Sequence, residues 1–563
     1  MADPYRAPLP WGGGGSDHAG APLSLHVAPV HPGMKPESEL TTHAVVRIRA
    51  ERPAEAAKRP MLSAVLVVDV SGSMRGEPIA QVLHSAKRLA EILDDTDRLG
   101  LVTFADGAET AAALRPLGEG RRELVSALGL VTASGGTNIA GGLAQASLLF
   151  PRREQGERQL LVLLSDGEPN IGPATPAELG AQARLLKARD VAISTLGYGA
   201  NHHDDVLSAI ADGGGGRYTF VIDPKLAEAS FIRALGAQLD VVAERVELLL
   251  APGPDVEILR VLEDPPTAVG AGGLRVTLSD LVVGDELNIV VELRVRAPRE
   301  VGPLRALNVT LSCHLAGTAQ VWKTSAPVDM LVTRTGSEAT DPAPHALVSI
   351  ALAAETRVKA RALSDRGSFA DAEALLRRAQ AMIAATPGFV VGDSSALADA
   401  YETLADEILV MAKRPARMEY EQYRKVTRDQ GDFLTGGTKT RGSQHLVDMP
   451  PSSRALHDRA MVGTKLPRAF LRVLSGPRAG LRVAIAKERF LIGRGATTTD
   501  LMLPDANVSR QHSLIELVVG AFWLVDLGST NGPIHKGERV ARLKLTSGDE
   551  FTIGDSLIRY EEE

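Results

Sequence analysis

Residues 61–73 read MLSAVLVVDVSGS. From Met61 to Val68 the run is apolar apart from Ser63 and does not alternate. That pattern is expected of a parallel strand covered on both faces. The run stops at Asp69, and from about residue 77 the apolar spacing turns helical. In open α/β sheets, ligands sit at the carboxyl ends of the strands. Here such an end carries Asp69, Ser71 and Ser73 at alternate positions, so one carboxylate and two hydroxyls can converge. These are hard oxygen donors, suited to magnesium more than to zinc.

Similar runs follow at Arg98–Phe104, Gln159–Ser165, Val191–Gly197 and Arg217–Ile222. Helical patterns fall around them at about 77–93, 120–130, 138–150, 176–189, 204–211 and 225–239. The alternation predicts a doubly wound α/β unit over about 60–240. Two more donors fall beside its elements: Thr137 just before a helix, and Asp166 at the end of a strand. A capped helix start is the plain alternative for the serines alone. His202-His203-Asp204-Asp205 reads as a loop with Asp204 capping the next helix, rather than as a metal cluster.

This constellation resembles the von Willebrand factor A (VWA) domain with its metal-ion-dependent adhesion site. The likeness rests on Asp69, Ser71 and Ser73, then Thr137, then Asp166, in that order. It implies a site for Mg²⁺ (or Mn²⁺ or Ca²⁺), held directly by the hydroxyls and largely through water by the aspartates. An acidic group from a partner protein would complete the shell. The resemblance implies binding, not catalysis.

The remainder divides by period. Residues 1–37, rich in Pro and Gly, are expected to form a flexible tail. Residues 38–60 hold an amphipathic strand at 43–50 that cannot stand alone. Residues 241–335 switch to period two, as in Leu287, Ile289, Val291, Leu293 and Val295, and predict a β-sandwich. The strand at 43–50 is expected to complete that sandwich, with the 61–240 unit inserted. Residues 344–428 keep helical spacing and predict a helical hairpin unit; 429–466 read as a linker. Its Thr435, Thr438 and Thr440 lie beside Lys439 and Arg441 and are candidate phosphorylation sites.

The last segment, 467–563, has short alternating strands between turns. Its loops carry Ile492-Gly493-Arg494, then Ser509-Arg510-Gln511-His512, then Ser529-Thr530-Asn531-Gly532. Arg494 and Arg510 offer bidentate forks suited to phosphate. Ser509 and Thr530 offer hydroxyl donors. The segment resembles a forkhead-associated (FHA) domain, a phosphothreonine-peptide reader with a β-sandwich fold. The resemblance implies that Arg494 and Ser509 contact the phosphate, with Arg510 and Thr530 adding contacts. It implies that Asn531 holds the peptide backbone, while Gly493, His512 and Gly532 support the loops.

Composition sets outer limits. A chain of 563 residues is too long for one core. A net charge of −7 argues against a dedicated nucleic-acid binder. Eight basic residues against one acid over 465–494 leave room for a local anionic partner. Cys313 is the one cysteine, which excludes a disulfide framework and points to a reducing compartment. No apolar run approaches the roughly 20 residues of a membrane span, and the first residues lack a signal-peptide pattern. Cytoplasmic localisation is therefore expected. Phosphate-loop, HExxH and complete GxGxxG signatures are absent.

The expected fold class is multidomain α/β plus all-β: a Rossmann-like VWA domain inserted in a β-sandwich, a helical hairpin unit and a C-terminal FHA β-sandwich. The expected function is a non-enzymatic adaptor in bacterial phosphorylation signalling. Its partners would be a phosphothreonine protein, a second protein offering an acidic residue to the metal, and a Ser/Thr kinase. The alternative is a regulatory subunit of an AAA+ ATPase or chelatase-type machine.

Overall fold

A computed structural model describes the protein apart from residues 1–14, 17–22, 52–59, 167–168, 199–203, 222–238, 264, 317–319, 337–340, 391–394, 415–419, 421–438, 442–467, 486–488, 496–498, 506, 510, 519–520, 528, 530, 541 and 563. Eight helices are described: α1 Glu77–Ile92, α2 Leu117–Leu130, α3 Ile139–Ser147, α4 Pro176–Lys187, α5 Asp204–Gly214, α6 Pro342–Ser364, α7 Phe369–Ala384 and α8 Ala396–Ala412.

Met61–Asp69 lies inside a six-stranded sheet. Its parallel neighbours are Arg98–Phe104 and Glu157–Ser165. Val191–Tyr198 and Gly215–Val221 continue the sheet in parallel on one side. Leu62, Ala64, Leu66 and Val68 face a core closed by α1 and α2. Val65 and Val67 face a second core closed by α3, α4 and α5. Burial on both faces is why the run does not alternate. At about 25 cal/mol per Å² of apolar surface buried, each fully buried Val or Leu of the strand contributes about 1.5–3 kcal/mol. The helix starts are set locally. Thr175 and Glu178 form a reciprocal capping box on α4. Asn138 caps α3 by accepting the Gly141 N–H.

The sheet's other edge was not anticipated. Ala108–Pro116 pairs antiparallel with Arg98–Phe104 as a hairpin. Its Ala-rich sequence carries no strand pattern, and the pairing itself imposes the extended form.

The inserted unit leaves and rejoins a two-sheet sandwich. Glu39–Ala50 pairs antiparallel with Asp285–Arg296, with Val46 opposite Ile289 and Ile48 opposite Leu287. The strand at 43–50 therefore completes the sandwich, as its amphipathic pattern required. The expectation of a flexible tail over 1–37 is corrected in its second half: Leu23–Pro29 is a strand with Val27 opposite Val46. Leu23, Leu25 and Val27 are buried in the sandwich core. The flanking Pro and Gly residues masked this short alternation. The presumed linker also contributes a strand, Lys439–Arg441, beside Asp285–Leu287, with Thr440 opposite Glu286. Thr435 and Thr438 lie outside the described residues.

The base of the α/β sheet is clamped to the sandwich. Arg153 makes a two-pronged contact with Glu244, at 2.8 and 2.9 Å, and Arg158 also bonds to it. Lys187 pairs with Asp280 at 2.5 Å. Both contacts lie at the end of the sheet opposite Asp69.

Helices α6, α7 and α8 form a hairpin unit cored by Ala360, Ala372, Leu376, Leu404 and Ile408. Gly367, at φ +80°, ends the α6 connection; Ser368 precedes α7 without a side-chain cap bond. The opposite side of α6 buries Val348 and Ala351 against Val45 and Val290 of the sandwich.

The last unit stacks two sheets, antiparallel but for the parallel pairing of Arg489–Gly493 with Leu501–Met502. One contains Ala469–Val473, Glu550–Ile553 and Ser556–Glu562, the other Arg489–Gly493, Ser513–Val518 and Ala521–Asp526. Phe490, Phe522, Phe551 and Tyr560 fill the space between. Three loops with recognition chemistry emerge together at one end.

Candidate functional site

The first site is built by three loops at the carboxyl ends of the parallel strands. Asp69 is fully buried at its strand end. Its Oδ1 accepts the Ser71 N–H at 2.8 Å, and its Oδ2 accepts the Ser165 hydroxyl at 2.5 Å. Ser71 Oγ and Ser73 Oγ stand 3.0 Å apart. Ser73 Oγ donates to Asp166 Oδ1 at 2.7 Å. Backbone bonds bring the Thr137 loop to this group. Gly72 N–H donates to Gly135 O at 3.0 Å, and Ser134 N–H to Val70 O at 2.6 Å. Asn170 ties Thr137 to the Asp166 loop: its side chain accepts the Thr137 N–H at 2.8 Å, and its own N–H donates to Thr137 O at 3.1 Å. Asp106 braces the same loop by accepting the Gly136 N–H at 2.6 Å.

The five residues expected from the sequence thus fall on three loops that are hydrogen-bonded to one another. Ser165, Asn170 and Asp106 were missed. Ser165 and Asn170 flank Asp166 within SDGEPN, so the signal was position beside a candidate ligand.

The electrostatics favour a cation. Burial pushes the Asp69 carboxyl up to about 6, even though Ser165 and Ser71 hydrogen bonds oppose the shift. Burial also raises Asp166. Among the described residues no Lys or Arg pairs with either. Two desolvated carboxylates with three nearby hydroxyl residues form a hard-oxygen donor set, and the residues fit a magnesium-class ion. His202 and His203 lie outside the described residues.

The second site gathers the C-terminal loops. Arg494 follows its strand directly, and its N–H donates to Ser509 O at 3.0 Å. Its Nε donates to Val508 O at 3.0 Å, which directs the other two guanidinium nitrogens outward. His512 is fully buried and joins two loops. Its Nδ1 accepts the Ser509 N–H at 3.1 Å, and its Nε2 lies 3.1 Å from Ser529 Oγ. A backbone N–H can only donate, so the neutral ring carries its proton on Nε2 and donates it to Ser529. Ser529 in turn donates to Asp526 at 2.6 Å and accepts the Gly532 N–H at 3.0 Å. Asn531 Nδ2 donates to Asn507 O at 2.8 Å. Gly532 sits at φ +69°, where a side chain would also strike Arg539. Gly493 O accepts the Leu503 N–H at 2.8 Å, fixing the turn after Arg494. Arg494, Ser509, Asn531, Gly493, His512 and Gly532 therefore belong to one loop cluster. Arg510 and Thr530 lie outside the described residues. The Ser529–Asp526 relay was not foreseen.

Comparison with known proteins bears on both units. The family model of the von Willebrand factor type A domain matches residues 64–231, which hold all three loops of the candidate metal site. Residues 64–231 are a von Willebrand factor type A domain. A solved von Willebrand factor type A structure from Catenulispora acidiphila superposes with a TM-score of 0.52 at 19% identity, covering 68% of this chain and 89% of that one. At that identity the likeness is one of fold. An uncharacterized Synechocystis protein is 29% identical over 36% of this chain and 47% of its own length.

Beyond the VWA domain, residues 472–563 match the family described as the inner membrane component of T3SS, cytoplasmic domain. The glycogen accumulation regulator GarA of Mycolicibacterium smegmatis is 40% identical over 86 residues, 15% of this chain and 54% of GarA. The C-terminal sandwich is FHA-like. The chain spans about half the length of these two curated relatives. VWA and FHA-like domains are typically non-catalytic interaction modules. No helix among the described residues is long and apolar enough to cross a membrane.

Proposed function

We propose that the protein is a non-catalytic cytoplasmic adaptor that reads phosphothreonine proteins at its C-terminal unit and holds a second protein through a divalent ion in its VWA domain. One observation carries the reading. Arg494, Ser509 and Asn531, on three separate loops, are braced into one cluster around buried His512. A phosphothreonine brings about −1.5 to −2 charges and three acceptor oxygens. Arg494 answers with a planar, permanently charged fork, and Ser509 with a short hydroxyl donor. Asn531 is an amide able to hold an extended backbone. At the other site, Ser71, Ser73 and Thr137 would hold Mg²⁺, with Asp69 and Asp166 behind them. A bound ion would supply the positive charge that attracts a partner carboxylate.

Fluorescence anisotropy with matched phosphorylated and unphosphorylated threonine peptides tests the reader. Charge-assisted hydrogen bonds contribute about 1.5–3 kcal/mol each, so Arg494→Ala should weaken phosphopeptide binding at least about tenfold. Arg494→Lys should restore it only in part, because a point charge cannot make the two-pronged contact. Equal affinity for wild type and Arg494→Ala would sink the reading.

A further inference from the structure

The phosphate-reading face already touches a helix of its own chain. Arg494 lies 3.6 Å from the Glu402 carboxylate and 3.7 Å from that of Asp406, through its two terminal guanidinium nitrogens. These are the nitrogens that the Nε bond to Val508 turns outward. Lys413, just past the same helix, donates to Asn531 Oδ1 at 2.7 Å. Residues 402, 406 and 413 are spaced i, i+4 and i+11, so they share one edge of α8 and its exit. That edge meets both the arginine and the asparagine of the proposed reader.

The geometry points to α8 as a resident ligand of the reader: Glu402 and Asp406 stand in for phosphate at Arg494 while Lys413 engages Asn531, so outside phosphothreonine peptides bind by displacing the helix. The inference rests on reading Arg494 and Asn531 as the phosphopeptide face.

Three features make the contact displaceable rather than permanent. Its bonds are polar and partly solvated, with Arg494 at 28%, Glu402 at 22% and Asp406 at 27% exposure. Leu409, on the same edge, is 47% exposed, so no apolar seal closes the contact. The separations at Arg494 are those of ion pairs and exceed hydrogen-bond length. Two singly charged carboxylates that do not reach bonding distance are weaker ligands for the fork than one phosphate dianion. Covalent connection still gives the helix an effective concentration on the order of millimolar. Weak peptides are excluded and strong ones admitted. The apparent affinity for an outside peptide is lowered by the fraction of chains whose reader is open.

The decisive comparison uses the full chain and one phosphothreonine peptide. Glu402→Gln/Asp406→Asn keeps helix shape and removes both charges from a partly exposed edge. The double variant should bind the peptide about three- to tenfold more tightly than wild type. Lys413→Ala, which leaves both carboxylates in place, should shift affinity in the same direction by a smaller factor. Hydrogen exchange without peptide should be faster at 507–512 in the double variant. Equal or weaker peptide binding by the variants overturns the inference. If neither wild type nor variant binds peptide, the phosphothreonine reading falls and exchange alone decides α8. Faster exchange at 507–512 then supports α8 as the occupant, and unchanged exchange overturns it.

Discussion

Ser165 Oγ donates a 2.5 Å hydrogen bond to Asp69 Oδ2, beneath the three loops of the candidate metal site. The two residues end neighbouring parallel strands, Glu157–Ser165 and Met61–Asp69, so the sheet register sets their approach. The bond opposes the burial that raises the Asp69 carboxyl.

Ser165→Ala should therefore weaken Mg²⁺ binding. Outer-shell partners of metal sites are commonly worth about 10–100-fold in affinity, and a loss near the lower end is expected here. The loss of one hydroxyl should cost about 1 kcal/mol of stability, leaving the fold intact. Calorimetric titration of wild type and variant with Mg²⁺ checks this. Unchanged affinity would remove Ser165 from the site.

A second expectation concerns the clamp at the far end of the sheet. Glu244 is largely buried and faces both Arg153 and Arg158. Glu244→Ala leaves two guanidinium groups desolvated with their shared acceptor gone. Breaking a buried charge pair costs about 3–5 kcal/mol. Scanning calorimetry should show the VWA or sandwich transition move down by several degrees. The C-terminal unit should melt as before, since it takes no part in this clamp.

The third concerns acid. Burial lowers the His512 pKa below its ordinary 6.5, with Arg539 acting the same way and Asp526 and Asp505 opposing it. Protonating Nδ1 would set one N–H against the Ser509 N–H that it now accepts. The folded state thus prefers the neutral ring. A histidine with a lowered folded pKa contributes stability that is present above 6.5. That contribution is lost as pH falls from there toward the folded value. The melting temperature of the C-terminal unit should drop between about pH 7 and pH 5. His512→Asn should start lower and vary less across the same range.

How much of this could be read from residues alone depends on where the cause lies. Met61–Asp69 was legible because burial on both faces is written into its own composition. The placement of Asp69, Ser71, Ser73, Thr137 and Asp166 on adjoining loops was legible because each stands at the edge of an element that the pattern defines. Ala108–Pro116 was not, since its extended form comes from pairing with Arg98–Phe104. Leu23–Pro29 was hidden by its Pro- and Gly-rich surroundings. The Arg494 contact with Glu402 and Asp406 had no local trace at all. It depends on how a helix and a loop some ninety residues apart come to face each other.

The closing register of the sandwich also has a schedule. Arg47 bonds to Asn288 across 241 residues of sequence. A ribosome adding about 5–20 residues each second needs on the order of tens of seconds to cross that gap. Throughout that interval Glu39–Ala50 and its first neighbour, Leu23–Pro29, have been made, while its second neighbour, Asp285–Arg296, has not. Val46 and Ile48, fully buried in the finished protein, then lie on an open hydrophobic edge. The VWA domain is complete before the strand arrives, so it is placed to fold first, while the long-range pairing waits. A nascent chain stalled short of residue 285 would carry a finished VWA domain on an unfinished, aggregation-prone base.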